Sequence, residues 1–229
     1  MKEKGLIVFM RYPEKGRVKT RLARYLGNDF TLDLYKHFLV DIFTMCRMID
    51  AEIMIAYSRS EKRNHEILFF NEHYMYFPQK GNNIGQRMFH ALREAAERGY
   101  RKCILIGSDT PDLPAALINN AYKVLDTSDI VLGPSTDGGY YLIGVRSQSI
   151  DVRIFDKVKW GTPSVLKETI EHIKRTGMIF SLLEKWDDID DLDSLKSYYT
   201  RYRQQKKIFS TMEFLEHHQG ILSQWLANT

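Results

Sequence analysis

Short apolar runs alternate with helical patterns along most of this 229-residue chain, and this alternation constrains the fold more than any other feature. We predict strands at 5–10, 51–56, 74–77, 102–106, 130–132, 140–145 and 178–183. Amphipathic spacing predicts intervening helices at 34–43, 64–70 and 84–95, and two more that begin at Pro114 and Thr162. Two further helices are expected at 192–199 and 214–226. Strands that alternate with helices in this way indicate an α/β fold.

The composition fits one medium-sized domain that spans residues 1–229, because 44% of the residues are hydrophobic and 27% are charged. A formal net charge of +4 requires neither a nucleic acid nor a membrane as a partner. The N-terminus lacks a signal-peptide pattern, and no apolar stretch approaches the ~20 residues that span a bilayer. With Cys46 and Cys103 both in apolar contexts, we expect reduced thiols and a cytoplasmic protein of undetermined oligomeric state.

The first predicted strand opens onto a strongly basic loop that leads into a helix. The cationic side chains of this segment are Arg11, Lys15, Arg17, Lys19, Arg21 and Arg24. Their local counter-charge is Glu14. Such a loop before a helix N-terminus is suited to bind phosphates, although a solvated basic turn is the alternative. The segment from Gly16 to Thr20 ends in Lys-Thr but lacks the first glycine of a P-loop, so its side chains must supply more of the binding.

Aspartates follow two of the later strands, where α/β folds bind ligands. Asp109 comes directly after the 102–106 strand, and together with a phosphate loop it predicts a Mg²⁺ or Mn²⁺ site. A turn or helix-capping aspartate is the alternative. Asp137, Asp188 and Asp190 are the candidates for a second metal ligand, and the acidic segment 187–193 is also typical of a helix cap.

The loop between the strands at 130–132 and 140–145 contains Gly138 and Gly139 before Tyr140. Adjacent glycines permit a close approach of the backbone to a ligand, and the tyrosine ring can pack on a sugar or a base. A tight hairpin turn explains the same residues equally well.

Six ordered blocks resemble a bacterial family of glycosyltransferase-like proteins, also called selenodomain-associated transferases. The blocks are 9–23, 79–88, 107–113, 133–144, 160–166 and 188–195, so the resemblance extends from end to end. It implies a GT-A nucleotide-diphospho-sugar transferase fold, in which a mixed, mainly parallel sheet lies between two helical layers (three-layer α/β/α). Molybdenum-cofactor and phospholactate nucleotidyltransferases are similar.

The resemblance also implies residue roles. It assigns nucleotide and phosphate binding to Arg11, Gly16, Lys19, Thr20, Arg21, Gln79, Gly85 and Arg87. It implies that Lys19 and Asp109 are catalytic, that Asp109 and Asp190 hold the metal, and that the substrate contacts Asp137, Gly138, Gly139 and Tyr140. Two departures from the family pattern are Asn83, where aspartate is usual, and Ser194 in the late acidic block.

Three activities fit these residues. Nucleotidyl transfer from an NTP to a small phosphorylated acceptor is favoured, because it needs cations around the leaving phosphates and a metal. Glycosyl transfer from an NDP-sugar is the alternative, and Asp109 lacks the Asp-x-Asp partner typical of that reaction. A non-catalytic nucleotide-binding relative is the third possibility.

Overall fold

The computed structural model describes residues 2–58, 73–205, 209–218 and 220. Its strands are β1 (Lys2–Met10), β2 (Glu52–Tyr57), β3 (Met75–Pro78), β4 (Tyr100–Gly107), β5 (Ile130–Pro134), β6 (Tyr140–Arg146) and β7 (Phe180–Leu182). Its helices are α1 (Thr20–Leu26), α2 (Asn28–Cys46), α3 (Ile84–Glu97), α4 (Ala115–Val124), α5 (Val165–Thr176), α6 (Leu192–Tyr202) and α7 (Ser210–His217). None of the helices in these ranges is long and apolar enough to span a bilayer.

The strands form one mixed sheet in the order β3-β2-β1-β4-β6-β5-β7. All neighbours pair in parallel except β6, which runs antiparallel to both β4 and β5. The carboxyl ends of β1, β2, β4, β5 and β7 therefore meet at one edge of the sheet. Ligand sites in open α/β sheets lie at this edge.

Helices cover both faces of the sheet, because alternate residues of its strands point to opposite faces. In β1, Leu6 and Val8 belong to the core beneath α1, α2, α4, α6 and α7, whereas Ile7 belongs to the core beneath α3 and α5. The predicted three-layer α/β/α arrangement is thus confirmed. Cys46 and Cys103 are buried free thiols, as predicted.

All seven predicted strands are present, but several boundaries differ from the predictions: α2 begins at Asn28 rather than at 34 and α7 at Ser210 rather than at 214. A hydrogen bond accounts for two further differences. β7 begins at Phe180 rather than at 178, where the Asp129 carboxylate accepts a 2.9 Å hydrogen bond from the Ile179 amide in place of strand pairing. α5 begins at Val165 rather than at Thr162, because the Thr162 hydroxyl donates to the Lys159 carbonyl (2.7 Å) and so holds a turn. The predicted helix at 64–70 and the last residues of the helix at 214–226 lie outside the described residues.

Candidate active site at the carboxyl edge of the sheet

The basic loop between β1 and α1 is attached to the rest of the molecule by Tyr35 of α2. The buried Tyr35 hydroxyl accepts from the Arg11 amide (3.2 Å), donates to the Arg11 carbonyl (3.1 Å) and lies 2.9 Å from the Ser108 hydroxyl. Burial raises the pKa of Tyr35, so its proton stays in place for these bonds. One α2 side chain thereby fixes the loops that follow β1 and β4 relative to each other.

Lys19, at the end of this loop, lies between two aspartates that are distant in sequence. Its Nζ is 2.5 Å from Oδ1 of Asp109 and 2.7 Å from Oδ1 of Asp190, and its side chain is only 4% exposed. The Ile189 amide also donates to the Asp109 carbonyl at 2.9 Å, so backbone pairing joins the two aspartate loops. The structure therefore brings Lys19, Asp109 and Asp190 together at one point.

The charges of this cluster are coupled. Burial alone lowers the pKa of Lys19, but the carboxylates of Asp109 and Asp190 outweigh burial and raise it above the ordinary value. Burial raises the pKa of Asp190, but Lys19 outweighs it and the pKa of Asp190 falls below its ordinary range. Lys19 and Asp190 are therefore both charged at neutral pH.

Lys19 also has an unusual backbone. It is one of two non-glycine residues with positive φ in the described ranges, at φ 43°, directly before α1. This left-handed conformation costs a non-glycine residue on the order of 1 kcal/mol or more. The two ion pairs offset that cost by holding the ammonium in place.

The Lys19 cleft is the space around this cluster, about 270 Å³ in volume. It is lined by Arg11, Arg17, Val18, Lys19, Thr20, Arg21, Tyr35, Asp109 and Asp190. The predicted Arg11, Lys19, Thr20 and Arg21 are all present, and Arg17 is a member that sequence reasoning noted only as part of the basic run. Gly16 does not line the cleft; its φ of +76° instead lets the loop turn.

A second cleft of about 390 Å³, the Gln79 cleft, lies beyond β1 and β2 and is lined by Ser58, Gln79, Lys80, Gly81 and Arg87. The Gln79 amide nitrogen donates to the carbonyls of Met10 and Ala56, both at 3.0 Å, so this side chain joins the ends of the two strands. Arg87 Nε donates to the Gly81 carbonyl at 3.0 Å. Gln79 and Arg87 thus lie together, apart from the Lys19 cleft.

The predicted substrate residues line a third space, the Trp160 cleft, of about 430 Å³. Asp137, Gly139 and Tyr140 face it, and Gly138 packs behind it against the carbonyl of Pro163. Gly85 is found here and not with the other predicted nucleotide residues, because the Trp160 ring packs on it. Arg21 and Asp190 line both this cleft and the Lys19 cleft, so the two spaces adjoin.

The late acidic segment has several distinct roles. Asp191 caps α6 by accepting from the Ser194 amide (2.9 Å), and the Ser194 hydroxyl accepts in return from the Asp191 amide (3.0 Å). The replacement of the usual residue by Ser194 therefore still permits a capping box. Asp188 is half-buried; burial first, then Asp190 and Asp137, raise its pKa to about 6.

Asp112 was not predicted from the sequence as a residue of the site. Its buried carboxylate accepts from Trp186 Nε1 (3.1 Å) and the Tyr202 hydroxyl (2.9 Å), and it forms an ion pair with Arg201 (3.4 Å). Asp112 thus joins the Asp109 loop to the loop that carries Asp188 and Asp190. All of its partners are more than seventy residues away, so no local pattern predicts them.

The described residues contain no group of three or more His, Cys, Asp or Glu side chains arranged to hold a metal ion. Asp109 and Asp190 nevertheless bind one cation already, the Lys19 ammonium, and about 40–45% of each carboxylate side chain stays exposed. Two carboxylates with phosphate oxygens and water suffice for Mg²⁺. The residues therefore fit a divalent cation that arrives with a phosphate ligand.

Residues 41–162 match the model of a family described as "Uncharacterized protein conserved in bacteria (DUF2064)". The chain belongs to this family. A protein of Desulfovibrio desulfuricans G20, described as a "putative nucleotide-diphospho-sugar transferase", is 34% identical to this DUF2064 member. The match covers 98% of this chain and 99% of that one, with a TM-score of 0.92. The predicted GT-A-like fold and transferase family are thereby confirmed.

More distant structures share the fold of this DUF2064 member. A CMP:2-keto-3-deoxy-manno-octonic acid synthetase complexed with CTP is 10% identical, with 89% of this chain and 99% of that one covered and a TM-score of 0.53. A 4-diphosphocytidyl-2C-methyl-D-erythritol synthase of Anaerococcus prevotii DSM 20548 is also 10% identical, with the same coverage and a TM-score of 0.57. The architecture is therefore one that nucleotidyltransferases and sugar-nucleotide transferases share.

Proposed function

We propose that this protein is a divalent-metal-dependent nucleotidyltransferase that uses an NTP. The observation that carries the proposal is the Lys19 cleft, where basic side chains surround a lysine held by Asp109 and Asp190. Several cations beside two metal-competent carboxylates suit a triphosphate that loses pyrophosphate. A nucleoside bound to those phosphates would extend into the Gln79 cleft, next to the carboxyl ends of β1 and β2.

In the proposed reaction an acceptor oxygen forms a bond to the α-phosphorus, and the bond from that phosphorus to the α–β bridging oxygen breaks. Pyrophosphate leaves with the bonding electrons. Arg11, Arg17 and Arg21 neutralise the phosphates, and Lys19 exchanges its carboxylate partners for a phosphate oxygen. Mg²⁺ or Mn²⁺ bound by Asp109 and Asp190 would stabilise charge on the phosphate oxygens.

Glycosyl transfer from an NDP-sugar is the second candidate. The description of the Desulfovibrio relative as a nucleotide-diphospho-sugar transferase favours it. The two reactions differ in which bond breaks, and hence in whether the cleft must bind a triphosphate or only a diphosphate.

A thermal-shift panel of NTPs, NDPs and NDP-sugars, each with and without Mg²⁺ or Mn²⁺, tests the proposal. We expect one NTP to give the largest metal-dependent rise in Tm. A ligand at 100 times its Kd stabilises by about 2.7 kcal/mol, which corresponds to about 5–10 °C for a chain of this size. A larger rise with an NDP-sugar would favour glycosyl transfer. Absence of any shift would favour a non-catalytic relative.

A further inference from the structure

The Trp160 cleft has two chemically different walls. One wall is apolar or aromatic, and the other carries hydroxyl and carboxylate groups. The apolar wall consists of Ile84, Met88, Tyr140, Trp160, Pro163 and Val165, and the polar wall of Ser135, Asp137, Asp188 and Asp190. Ile84 is 44% exposed although it is large and apolar, so this wall offers apolar surface that the protein's own core does not use.

Close packing fixes the shape of this cleft. A Cβ added to Gly85 would lie 2.5 Å from Cζ2 of Trp160, so the indole rests directly on the first turn of α3. In a second close contact Gly138, at φ +90°, packs against the Pro163 carbonyl, and its own carbonyl accepts from the Leu166 amide (2.9 Å). The cleft is thus preformed by three chain segments rather than assembled from mobile side chains.

The carboxylate of Asp137 is held in the polar wall. Its Oδ1 accepts from the Ser135 hydroxyl and from the Gly139 amide, the latter at 2.9 Å. Oδ2 of Asp137 makes neither of these two bonds and can accept a hydrogen bond from a bound molecule. Asp188 and Asp190 add two more carboxyl groups, and Asp190 also lines the Lys19 cleft.

The position of the cleft indicates a role for its occupant. Because Arg21 and Asp190 also line the Lys19 cleft, a molecule bound here lies beside the phosphates that the proposed function places there. The second reactant of the proposed reaction has to bind beside those phosphates. Assigning an acceptor to this cleft therefore rests on the proposed function.

We propose that the Trp160 cleft binds the acceptor, and that the acceptor is a polyhydroxylated ring without negative charge. Carboxylates accept hydrogen bonds from hydroxyl groups, while aromatic and aliphatic side chains pack on the C–H faces of such a ring. Asp137 and Asp188 repel an anionic ring, whereas Asp190 is paired with Lys19. Among the described lining residues Arg21 supplies the positive charge, and the nucleotide phosphates compete for it.

The attacking atom is then a hydroxyl oxygen. It forms the bond to the α-phosphorus as pyrophosphate leaves with the bonding electrons, and its proton passes to solvent. This acceptor differs from the small phosphorylated acceptor that we predicted from the sequence, because a phosphorylated ring would face the carboxylate wall with a charge of the same sign.

Three six-membered rings that differ in charge test this proposal: glucose, glucosamine and glucuronate. Saturation-transfer NMR detects their weak binding to the protein with a non-hydrolysable NTP analogue and Mg²⁺ present. We expect glucose and glucosamine each to give at least a threefold stronger signal than glucuronate. Replacement of the aromatic face by Trp160→Leu should reduce the glucose signal by at least threefold while circular dichroism confirms the fold.

Asp137→Asn is the selectivity variant, because an asparagine oxygen still accepts from Ser135 and Gly139 while the negative charge is removed. We expect the ratio of the glucose signal to the glucuronate signal to be smaller in this variant than in the unmodified protein. A glucuronate signal equal to that of glucose in the unmodified protein, or a glucose signal unaffected by Trp160→Leu, would each overturn the proposal.

The two proposals fail in distinguishable ways. An NTP-dependent rise in Tm without selective ring binding overturns the acceptor assignment alone. The absence of that rise overturns the proposed function, whatever the rings do.

Discussion

At the scale of single residues, Lys19 joins the basic loop between β1 and α1 to the candidate metal ligands. In the described structure its ammonium occupies the position between Asp109 and Asp190 that a divalent cation would take. Lys19 should therefore affect the binding of its two ligands in opposite ways. Its charge strengthens the binding of nucleotide phosphates, and it competes with a metal ion for the two carboxylates.

Lys19→Ala should change the two affinities in opposite directions. Loss of a charge-assisted contact of about 1.5–3 kcal/mol should weaken NTP binding by about 10- to 100-fold, as measured by thermal shift. Binding of Mn²⁺ alone, followed by electron paramagnetic resonance, should become tighter because a competing cation is gone. Lys15→Ala is the matched control, since Lys15 is in the same loop, pairs with Asp29 (2.7 Å) and is exposed. Equal effects of the two substitutions would contradict the role of Lys19.

Asp188 should destabilise the metal-free protein at neutral pH. Its folded pKa of about 6 exceeds the ordinary value of 3.8, so the folded state disfavours the ionised form. The penalty is absent below pH 4, where the group is protonated in both states, and is complete above pH 6. Asp188→Asn should therefore raise Tm at pH 8 by about 2–4 °C, a screened effect on the order of 1 kcal/mol.

Scanning calorimetry in EDTA at pH 8 and at pH 4 checks this expectation. The gain in Tm from Asp188→Asn should be smaller at pH 4 than at pH 8. An equal gain at both pH values would show that packing, and not charge, is responsible.

Sequence reasoning found the charged residues of the site but not their pairing. Local context made Lys19 a phosphate-loop candidate and Asp109 a metal candidate, and the family resemblance implied that Asp190 shares the metal with Asp109. The ion pairs of Lys19 with these aspartates were not predicted, because Lys19 and Asp190 are 171 positions apart and meet only through the sheet topology. The same reason explains why the predicted counter-charge of the basic loop was the neighbouring Glu14.

At the scale of elements, the loops after β4 and β7 form one unit that Asp112 holds together. The Trp186 indole donates to one oxygen of Asp112, while Tyr202 and Arg201 of α6 contact the other. Thus α6 and the β7 loop are positioned relative to Asp109 through a carboxylate that does not itself reach the Lys19 cleft.

Asp112→Asn should lower both stability and metal affinity. An asparagine amide in place of one oxygen leaves a donor facing other donors, at a cost of about 1–3 kcal/mol. Because Asp109 and Asp190 are then held less rigidly, Mn²⁺ affinity at 10 °C, where the variant is folded, should fall several-fold. Tyr202→Phe removes one donor only and serves as the milder comparison. Unchanged Mn²⁺ affinity in a destabilised Asp112→Asn would limit this residue to a structural role.

The ends of the strands were predicted less well than the strands themselves, because contacts between residues distant in sequence decide where a strand ends. Six of the strands were found within two residues at each end and β1 within three, since buried strands are continuous apolar runs. β7 was overextended because its apolar pattern continues into Ile179, which is 62% exposed at the edge of the sheet. A hydrogen bond from the Ile179 amide to the Asp129 carboxylate decides that boundary, and such bonds leave no periodic signal.

At the scale of the whole molecule, both hydrophobic cores share the same seven-stranded sheet. The last described helix returns to the first long one: Asp41 of α2 accepts from the Ser210 amide (2.6 Å) and the Thr211 amide (2.8 Å) at the start of α7. We therefore propose that the chain is a single folding unit, as its composition suggested.

A single folding unit should unfold in one cooperative transition. Far-UV circular dichroism and tryptophan fluorescence should give coincident thermal curves. Asp41→Ala should shift the whole curve to lower temperature, because two buried amides lose their acceptor at a cost of about 1–3 kcal/mol, or about 2–12 °C. Asp33→Ala, an exposed acid on the same helix that pairs with Lys36 (2.8 Å), should shift it by less than about 2 °C. If Asp41→Ala instead produced a separate early transition while the main one stayed in place, α7 would be an independently unfolding appendage and the single unit would end before it.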